Sequence, residues 1–297
     1  MFQFLVDTLL RASDLALIAL GLSMIYGLVK FPNIAHVQYA LLGAYLSFAL
    51  RAAGLPLALA IAASCALTGV LTLLLHLLVF RRLLRAGPAI AMIGSLAVAM
   101  LVLAAAQATA GSFPLMHNLP MKAPFDVFGA RLTPTQLWFM AITLVLLALY
   151  SALLFFTPIG RAMRALACNP SLAAASGLNA ERITRMVSFG SGALAALGGS
   201  MLSLSTGAHL NLGQDLLLPV FAAAILGGLG NPLGAVAGAL LIALTETLVT
   251  NLDFGFLLGR ELVYMPVAYI SAASFLILLV ALLFKPYGLF DREVRRV

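Results

Sequence analysis

Three polar side chains, Asn33, His36 and Gln38, interrupt a long apolar stretch near the start of the chain. They follow Pro32, which prevents regular helix hydrogen bonding, and their positions are i, i+3 and i+5. In an apolar environment such groups are tolerated where they meet protein or a water-filled cavity. We therefore predict that they hydrogen-bond a solute along a polar path. The alternative is that they only satisfy the backbone groups that the proline leaves free.

A second interruption lies in a glycine-rich segment around Asn231. Gly230, Gly234 and Gly238 recur at every fourth position, which predicts a flat stripe on which another helix packs closely. The alternative is a hinge or half-helix that lines the path, with Asn231 as its polar group. Glu246 lies deep in the apolar segment that follows. Because an unpaired buried charge is unfavourable, we expect this carboxylate to face a partner or an aqueous cavity.

No motif for bond-making chemistry occurs in this sequence. It contains no G-x-x-x-x-G-K-[ST] segment for a nucleoside triphosphate, and neither G-x-S-x-G nor H-E-x-x-H. The four histidines lack metal-ligand spacing, and Cys65 and Cys168 are too far apart in any plausible topology to pair. We therefore expect no enzyme activity, no metal site and no cofactor bound by this chain.

The polar residues must be positioned by helices that cross a membrane. Hydrophobic residues make up 63% of the 297 positions, charged residues 9%, and the mean hydropathy is +1.10, which excludes a soluble globular domain. Apolar segments of roughly 20 residues span a hydrocarbon core of about 30 Å. We predict such segments at 12–29, 34–50, 56–80, 89–110, 135–157, 183–206, 215–229, 234–250 and 262–284.

These segments predict an all-α, polytopic integral membrane protein with about 8 to 10 transmembrane helices, some of them interrupted. Residues 1–297 are expected to form a single transmembrane domain. The predicted translocation path through this domain consists of Asn33, His36, Gln38, Asn231 and Glu246.

The basic residues predict the orientation. When alternate loops are assigned to the cytoplasm, one side of the membrane receives twelve of the 17 Lys and Arg residues, namely Lys30, Arg81, Arg82, Arg85, Arg161, Arg164, Arg182, Arg185, Lys285, Arg292, Arg295 and Arg296. Because basic residues concentrate on the inner side, this side and the C-terminus are expected to be cytoplasmic. The net charge of +7 then reflects topology and anionic lipid rather than nucleic acid.

A polar loop at 158–185 is predicted to contain a short helix with defined ends. Asn169 precedes Pro170 in the order of an N-cap followed by the first helical position. Gly177 is placed for the left-handed residue after the last turn, and Asn179 begins the next span. The predicted exposed face, Leu172, Ala173, Ala175 and Ser176, is small and shallowly apolar and suits a groove on a partner. The alternative is an ordinary connecting loop with capped ends.

The segment GRAMRALACNPSLAAASGLNAERI resembles the cytoplasmic coupling loop of branched-chain amino acid ABC transporter permeases of the LivH type. Three further segments resemble parts of that family in the same order, namely MIYGLVKFPNIAHVQYALLGAYLSF, PVFAAAILGGLGNPLGAVAGALLIALTETL and FKPYGLF. One departure is that Val37 and Gln38 replace the Gly-Glu pair usual after the histidine, so a role for that carboxylate does not transfer.

The resemblance implies a permease subunit of an ATP-driven importer for branched-chain amino acids or related small solutes in the bacterial inner membrane. It implies a second, LivM-like permease, two ATP-binding subunits that hold ATP and Mg²⁺, and a periplasmic solute-binding protein as partners. The ATPase-coupling residues would be Arg161, Arg164, Asn169, Pro170, Leu172, Ala173, Ala174, Gly177, Asn179 and Arg182.

Three other functions stay open from the sequence. A permease of the same family for urea, short amides or aromatic acids would carry the same coupling loop. An ion-coupled secondary transporter would need internal ion sites, which only Glu246 and the region of His36 offer. A purely structural membrane subunit would need no polar path.

Overall fold

A computed structural model describes residues 2–117, 123–127, 129–252, 269–285 and 288–289. Its helices are α1 Phe2–Val29, α2 His36–Ala52, α3 Leu57–Leu75, α4 Arg81–Ala86, α5 Pro88–Ala110, α6 Pro134–Phe156, α7 Pro158–Cys168, α8 Pro170–Ala175, α9 Ala180–Thr206, α10 Leu212–Leu226, α11 Pro232–Asn251 and α12 Ile270–Phe284. A π-helical turn, His76–Phe80, joins α3 to α4. Strands β1 Phe125–Val127 and β2 Ala130–Leu132 form a short antiparallel hairpin with Phe125 opposite Leu132.

Five of the helices, α5, α6, α7, α8 and α11, begin with proline at their first position. In four of these the preceding Thr or Asn side chain accepts a hydrogen bond from a backbone N–H three residues later, as in Thr133–Gln136, Thr157–Gly160, Asn169–Leu172 and Asn231–Gly234. Proline loses no hydrogen bond at this position, and the capping oxygen satisfies a donor that the helix leaves free. These helix starts are therefore encoded locally by Thr-Pro and Asn-Pro pairs.

The helices α1, α2, α9, α10 and α11 form the interior of the molecule. α1 packs against α9 and α11, and α9 also packs against α2 and α3. Gly43 on α2 faces Ala196 on α9, and Gly199 on α9 faces Ala40 on α2. The two backbones are so close that a Cβ at either glycine would overlap with the opposite backbone. Small residues allow such close approach in lipid, where apolar burial adds little. The small residues of α9 therefore allow direct backbone contact with α2.

The outer helices α3, α5 and α6 present apolar side chains to the surroundings. Leu67 on α3, Ile93 and Leu101 on α5, and Trp138 and Leu144 on α6 are all exposed. Such surfaces are suited to contact with acyl chains or with another membrane-embedded chain.

Each of the nine predicted segments contains a helix, and the all-α polytopic fold is confirmed. Within the described residues, six helical stretches are long and apolar enough to cross a membrane: Phe2–Val29, Leu57–Ala86, Pro88–Ala110, Pro134–Phe156, Ala180–Thr206 and Pro232–Asn251. The other three segments are α2, α10 and α12, with 17, 15 and 15 residues. The predicted total of 8 to 10 crossings requires these shorter helices to span as well. Residues 262–268 of the last segment lie outside the described residues.

Two predicted boundaries were wrong. α1 begins at Phe2 rather than at residue 12, so Arg11 lies inside a helix and not in a loop, because its charge is paired within the bundle. The third segment continues past residue 80 as α4, which carries Arg81, Arg82 and Arg85 on a helix. The run RRLLRA consists of good helix formers, and the helix ends at Gly87, whose φ is 125°.

Candidate functional site

The interruption between α1 and α2 is stabilised by side chains close to it. Lys30 has a φ of 55° and turns the chain away from the axis of α1. The N–H of Ile34 donates to Oγ of Ser95 on α5 at 3.0 Å, and the N–H of Ala35 donates to Oδ1 of Asn33 at 3.2 Å. Asn33 therefore satisfies backbone that the break leaves free, which is what the alternative interpretation of this residue required.

His36 joins the start of α2 to α1. Its ring is fully buried, and Nε2 lies 3.0 Å from the carbonyl oxygen of Ile18. Gly21 on α1 faces the same ring so closely that a Cβ there would lie about 3.1 Å from Cε1 of His36. This contact fixes α2 against α1 beside the break, and contact between His36 and a solute stays a prediction.

Gln38 lines a cavity of about 80 Å³ between α2, α5 and α10. The residue is 4% exposed, and its Oε1 has no hydrogen-bond partner among the described residues. Gln214, at the start of α10, lines the same cavity together with Ile34, Val37, Leu96, Ala99, Met100, Leu103 and Leu217. Two carboxamides in an otherwise apolar cavity offer both donors and acceptors to a small polar molecule.

Asn33 also lines a second, polar cavity between the break, the π-helical turn and α9. This cavity measures about 10 Å³, which is room for about one water molecule. Its other polar residues are Thr72, His76, Ser188 and Ser191. None of these four was predicted to belong to the path; the available signal was their hydroxyl and imidazole groups within apolar spans.

The glycine-rich interruption turns between α10 and α11. Gly228 and Gly230 have φ of 95° and 90°, the left-handed region that favours glycine. The side-chain Oδ1 of Asn231 then accepts the N–H of Gly234 at 3.1 Å and begins α11. Asn231 is thus a helix cap at this break, and the cap accounts for an Asn at this position without any solute.

The glycine stripe differs from the expectation at one of its three positions. Gly234 and Gly238 lie on α11 and pack directly against the backbone of α10, at Gly227 and Ala223. Gly230 precedes the helix and packs instead against Gly27 of α1. A single helical stripe through all three glycines was wrong, because the chain bends between Gly230 and Gly234.

Glu246 is paired inside the bundle. Its Oε2 lies 2.6 Å from Nε of Arg11 on α1, its other carboxylate oxygen accepts a hydrogen bond from the hydroxyl of Ser274 on α12, and its side chain is 3% exposed. One carboxylate therefore joins three helices, α1, α11 and α12. A partner was one of the two surroundings predicted for this carboxylate, the other being an aqueous cavity. Arg11 itself was not predicted as that partner, because it lies outside the predicted segment 12–29.

The segment between α6 and α9 forms two helices outside the spans. α7 buries Ala162, Met163 and Leu166 against the body and exposes Arg161 and Arg164. Arg164 donates to the carbonyl oxygen of Leu154 at the end of α6, and its guanidinium carbon lies 5.5 Å from the ring centroid of Phe155. A helix of eleven residues was not predicted in this part of the loop 158–185.

α8 is a short helix with both ends fixed, as predicted. Oδ1 of Asn169 accepts the N–H of Leu172 at 3.0 Å. Beyond the last turn Gly177 has a φ of 82°, and the N–H groups of Gly177 and Leu178 donate to the carbonyls of Ala174 and Ala173. This is the Schellman arrangement, which satisfies the last carbonyls of a helix. Asn179 then caps α9 through the N–H of Arg182 at 2.9 Å.

The exposed surface of α8 differs from the prediction at one residue. Leu172 is 64% exposed, and Ala174, Ala175 and Ser176 are also exposed. Ala173 is buried, at 4%, because it packs inward against the body. The surface available to a partner therefore includes Leu172, Ala174, Ala175 and Ser176, and Ala173 does not belong to it.

The predicted path residues occupy four separate environments. Asn33 and His36 stabilise the first break, Gln38 faces the cavity near α10, Asn231 caps α11, and Glu246 is paired with Arg11. Asn231 lies near α7, since it lines a groove together with Arg164 and Cys168. Of these, Gln38 combines burial with an unpartnered polar atom and a cavity.

The described residues form a multi-span helical body with two interrupted segments and a capped helix with an exposed face, which is the architecture of a polytopic membrane protein. A family model described as the branched-chain amino acid transport system / permease component matches residues 4–284. The chain belongs to this family, as the resemblance implied.

Curated relatives match over nearly the whole chain. The probable branched-chain amino acid transport permease protein LivH of Methanocaldococcus jannaschii is 30% identical over 97% of this chain and 91% of its own length. The high-affinity branched-chain amino acid transport system permease protein LivH of Escherichia coli K12 is 25% identical over 96% of this chain and 94% of its own length. A solved structure, PsaBC from Streptococcus pneumoniae in complex with Fab, aligns with a TM-score of 0.49 at 14% identity, covering 95% of this chain and 92% of that chain.

Proposed function

We propose that this chain is the LivH-like permease subunit of an ATP-driven importer for branched-chain amino acids. The observation that carries the proposal is the 30% identity to a LivH permease over 97% of the chain. The proposed assembly contains a second, LivM-like permease, two ATP-binding subunits that hold ATP and Mg²⁺, and a solute-binding protein. The proposed location is the bacterial inner membrane, with the loop 158–185 and the C-terminus in the cytoplasm, which the basic residues favour.

In the proposed mechanism the ATP-binding subunits hold the exposed face of α8 and move it during their cycle. α8 is joined to α9 by only a capped turn, so its displacement is passed to α9. Ser188 and Ser191 lie nine and twelve residues after Asn179, about 14 and 18 Å along α9, and line the polar cavity at the first break. Movement of α9 therefore changes the break between α1 and α2, which is the structural basis for alternating access.

The proposed function is tested by reconstituting this chain with its permease partner, ATP-binding subunits and binding protein in proteoliposomes. We expect ATP-dependent uptake of labelled leucine that valine and isoleucine compete for, while urea and short amides do not. Substituting the Walker A lysine of the ATP-binding subunits should abolish uptake, and collapsing the proton gradient should leave it unchanged. Uptake that follows the proton gradient instead would support a secondary transporter and overturn the proposal.

A second prediction concerns the cavity of about 80 Å³ that Gln38 lines. Replacing Gln38 by Met keeps the side-chain size and removes both hydrogen-bonding groups, so we expect uptake to fall about tenfold, the effect of removing one or two productive hydrogen bonds. The matched control is Ser47→Ala on the same helix, whose buried hydroxyl donates to the carbonyl of Ala44. Equal uptake by Gln38→Met, Ser47→Ala and the unmodified protein at equal expression would exclude Gln38 from the path.

A further inference from the structure

A groove opens beside the coupling segment, between α1, α6, α7 and α11, and we refer to it as the α7 groove. Its volume is about 310 Å³, far more than the roughly 10–15 Å³ that a cavity needs to hold one water molecule. Most of its lining is apolar and includes Met24, Leu28, Leu154, Met163 and Leu233. The α7 groove therefore has room for part of an acyl chain and few groups that would hold water.

Positive charge lies at one edge of this groove. Arg164 lines it, and Arg161 lies one turn earlier on the same exposed face of α7. Among the described residues neither guanidinium takes part in an ion pair; the ion pairs present there are those of Arg11, Arg81 and Arg185. Arg164 is held in place at Leu154 and Phe155, and its guanidinium still has N–H groups to offer an anion.

The α7 groove is continuous with a surface suited to lipid. Phe155 and Phe156 at the end of α6 are 52% and 82% exposed, and α6 carries further exposed apolar residues along its length. α7 begins directly after this span and presents its charged face outwards, the arrangement of a helix at a membrane interface. The apolar groove opens towards the surface that contacts acyl chains, and two arginines lie at its edge. These features are complementary to a molecule that has an acyl chain and an anionic head group.

We propose that the α7 groove binds one anionic phospholipid, with an acyl chain between α1, α6, α7 and α11 and its phosphate at Arg161 and Arg164. Charge complementarity favours an anionic over a zwitterionic head, because a single extra negative charge is attracted by two basic side chains near the surface. Such a lipid would contact both α7 and the break at Gly230–Leu233. The proposal concerns lipid binding alone and does not depend on the transported solute.

The proposed contact between the lipid head group and the two arginines is tested by native mass spectrometry. The purified chain is incubated with equal amounts of phosphatidylglycerol and phosphatidylcholine. We expect one retained phosphatidylglycerol, and about 30-fold weaker retention in Arg161→Ala/Arg164→Ala. The matched control is Arg82→Ala/Arg85→Ala, which removes two exposed arginines of equal spacing from α4. Equal loss in both double variants, or equal retention of phosphatidylcholine, would overturn the proposal.

A substitution that fills the α7 groove with a larger side chain tests the binding of the acyl chain, and it leaves both arginines intact. Ala167 lines the α7 groove, whereas Ala165 lies on the exposed side of the same helix. Ala167→Phe should displace the lipid, and Ala165→Phe should retain it. Retention by both variants at equal thermal stability would show that no acyl chain enters the groove and would contradict the proposal.

The thiol of Cys168 reports on the occupant. It is exposed and lines the α7 groove, so alkylation by a neutral maleimide should be slower in vesicles that contain phosphatidylglycerol than in phosphatidylcholine alone. Protection that is equal in both lipids and is accompanied by crosslinks between two copies would identify a second chain as the occupant. Equal protection by glycerol phosphate without acyl chains would identify an anion site. Either result would overturn the lipid proposal.

Discussion

Replacing Arg11 by Met is expected to lower the free energy of unfolding by about 3–5 kcal/mol, because it leaves a buried carboxylate without its cation. In the unmodified protein the side chain of Glu246 is 3% exposed and lies 2.6 Å from Arg11. The remaining hydrogen bond from Ser274 cannot compensate for a full negative charge in an apolar bundle. Thermal unfolding in detergent, followed through the single tryptophan, Trp138, measures the effect.

The matched control for this result is Arg81→Met. Arg81 pairs with Glu181 at 2.9 Å, but both side chains are well exposed, and Arg185 also contacts this carboxylate. An exposed pair contributes about 0–1 kcal/mol, so this control should unfold nearly as the unmodified protein does. The double variant Arg11→Met/Glu246→Met should recover most of the loss, since no unpaired charge remains. Equal effects of the two single variants would contradict the assignment of a stabilising pair.

Replacing Leu172 by Arg is expected to reduce ATP-driven uptake by about 30-fold or more, the effect of disrupting an apolar anchor at the centre of an interface. Leu172 is the large apolar side chain on the exposed face of α8, and it is 64% exposed. Arg has nearly the helix propensity of Leu, so α8 itself should persist. Uptake in proteoliposomes and co-purification of the ATP-binding subunits measure the loss of contact.

Ala165→Arg is the control for the added charge. It places the same side chain on an exposed position of α7, in the same segment but outside the exposed face of α8. Ala173→Arg is unsuitable as a test of the surface, because Ala173 is 4% exposed and the arginine would disturb packing. Unchanged uptake by Leu172→Arg, at normal membrane insertion, would remove α8 from the proposed contact with the motor.

Short sequence patterns correctly predicted the helix ends that are determined by hydrogen bonds within one turn. Asn169 with Pro170, Gly177 and Asn179 marked the two ends of α8 and the N-cap of α9, because caps act within one turn, whereas the span predicted from hydropathy began at residue 183. Gly234 and Gly238 likewise predicted close helix packing, and in the structure they pack against Gly227 and Ala223. The β-hairpin and the π-helical turn were not predicted, since neither has a pattern that is distinct from its neighbours.

Pairings between distant residues were beyond sequence reasoning. Arg11 and Glu246 are 235 positions apart. A charged residue near the end of an apolar segment is normally interpreted as the end of the span, unless its partner is known. Gln214 was missed for a similar reason, because its importance comes from Gln38 across the same cavity. Ala173 was assigned to the wrong side of α8, because a run of alanines has no amphipathic pattern that distinguishes its faces.

Crosslinking from α8 tests the central claim most directly, that this helix is the contact through which a separate ATPase moves the membrane body. Ala174 is exposed on α8, and Ala174→Cys in a background of Cys65→Ser/Cys168→Ser offers one thiol there. In the assembled transporter a short bifunctional reagent should join this thiol to an ATP-binding subunit, with a yield that changes when ATP is added. A thiol that reacts fully with maleimide yet gives no crosslink to a co-purified ATP-binding subunit would contradict the account.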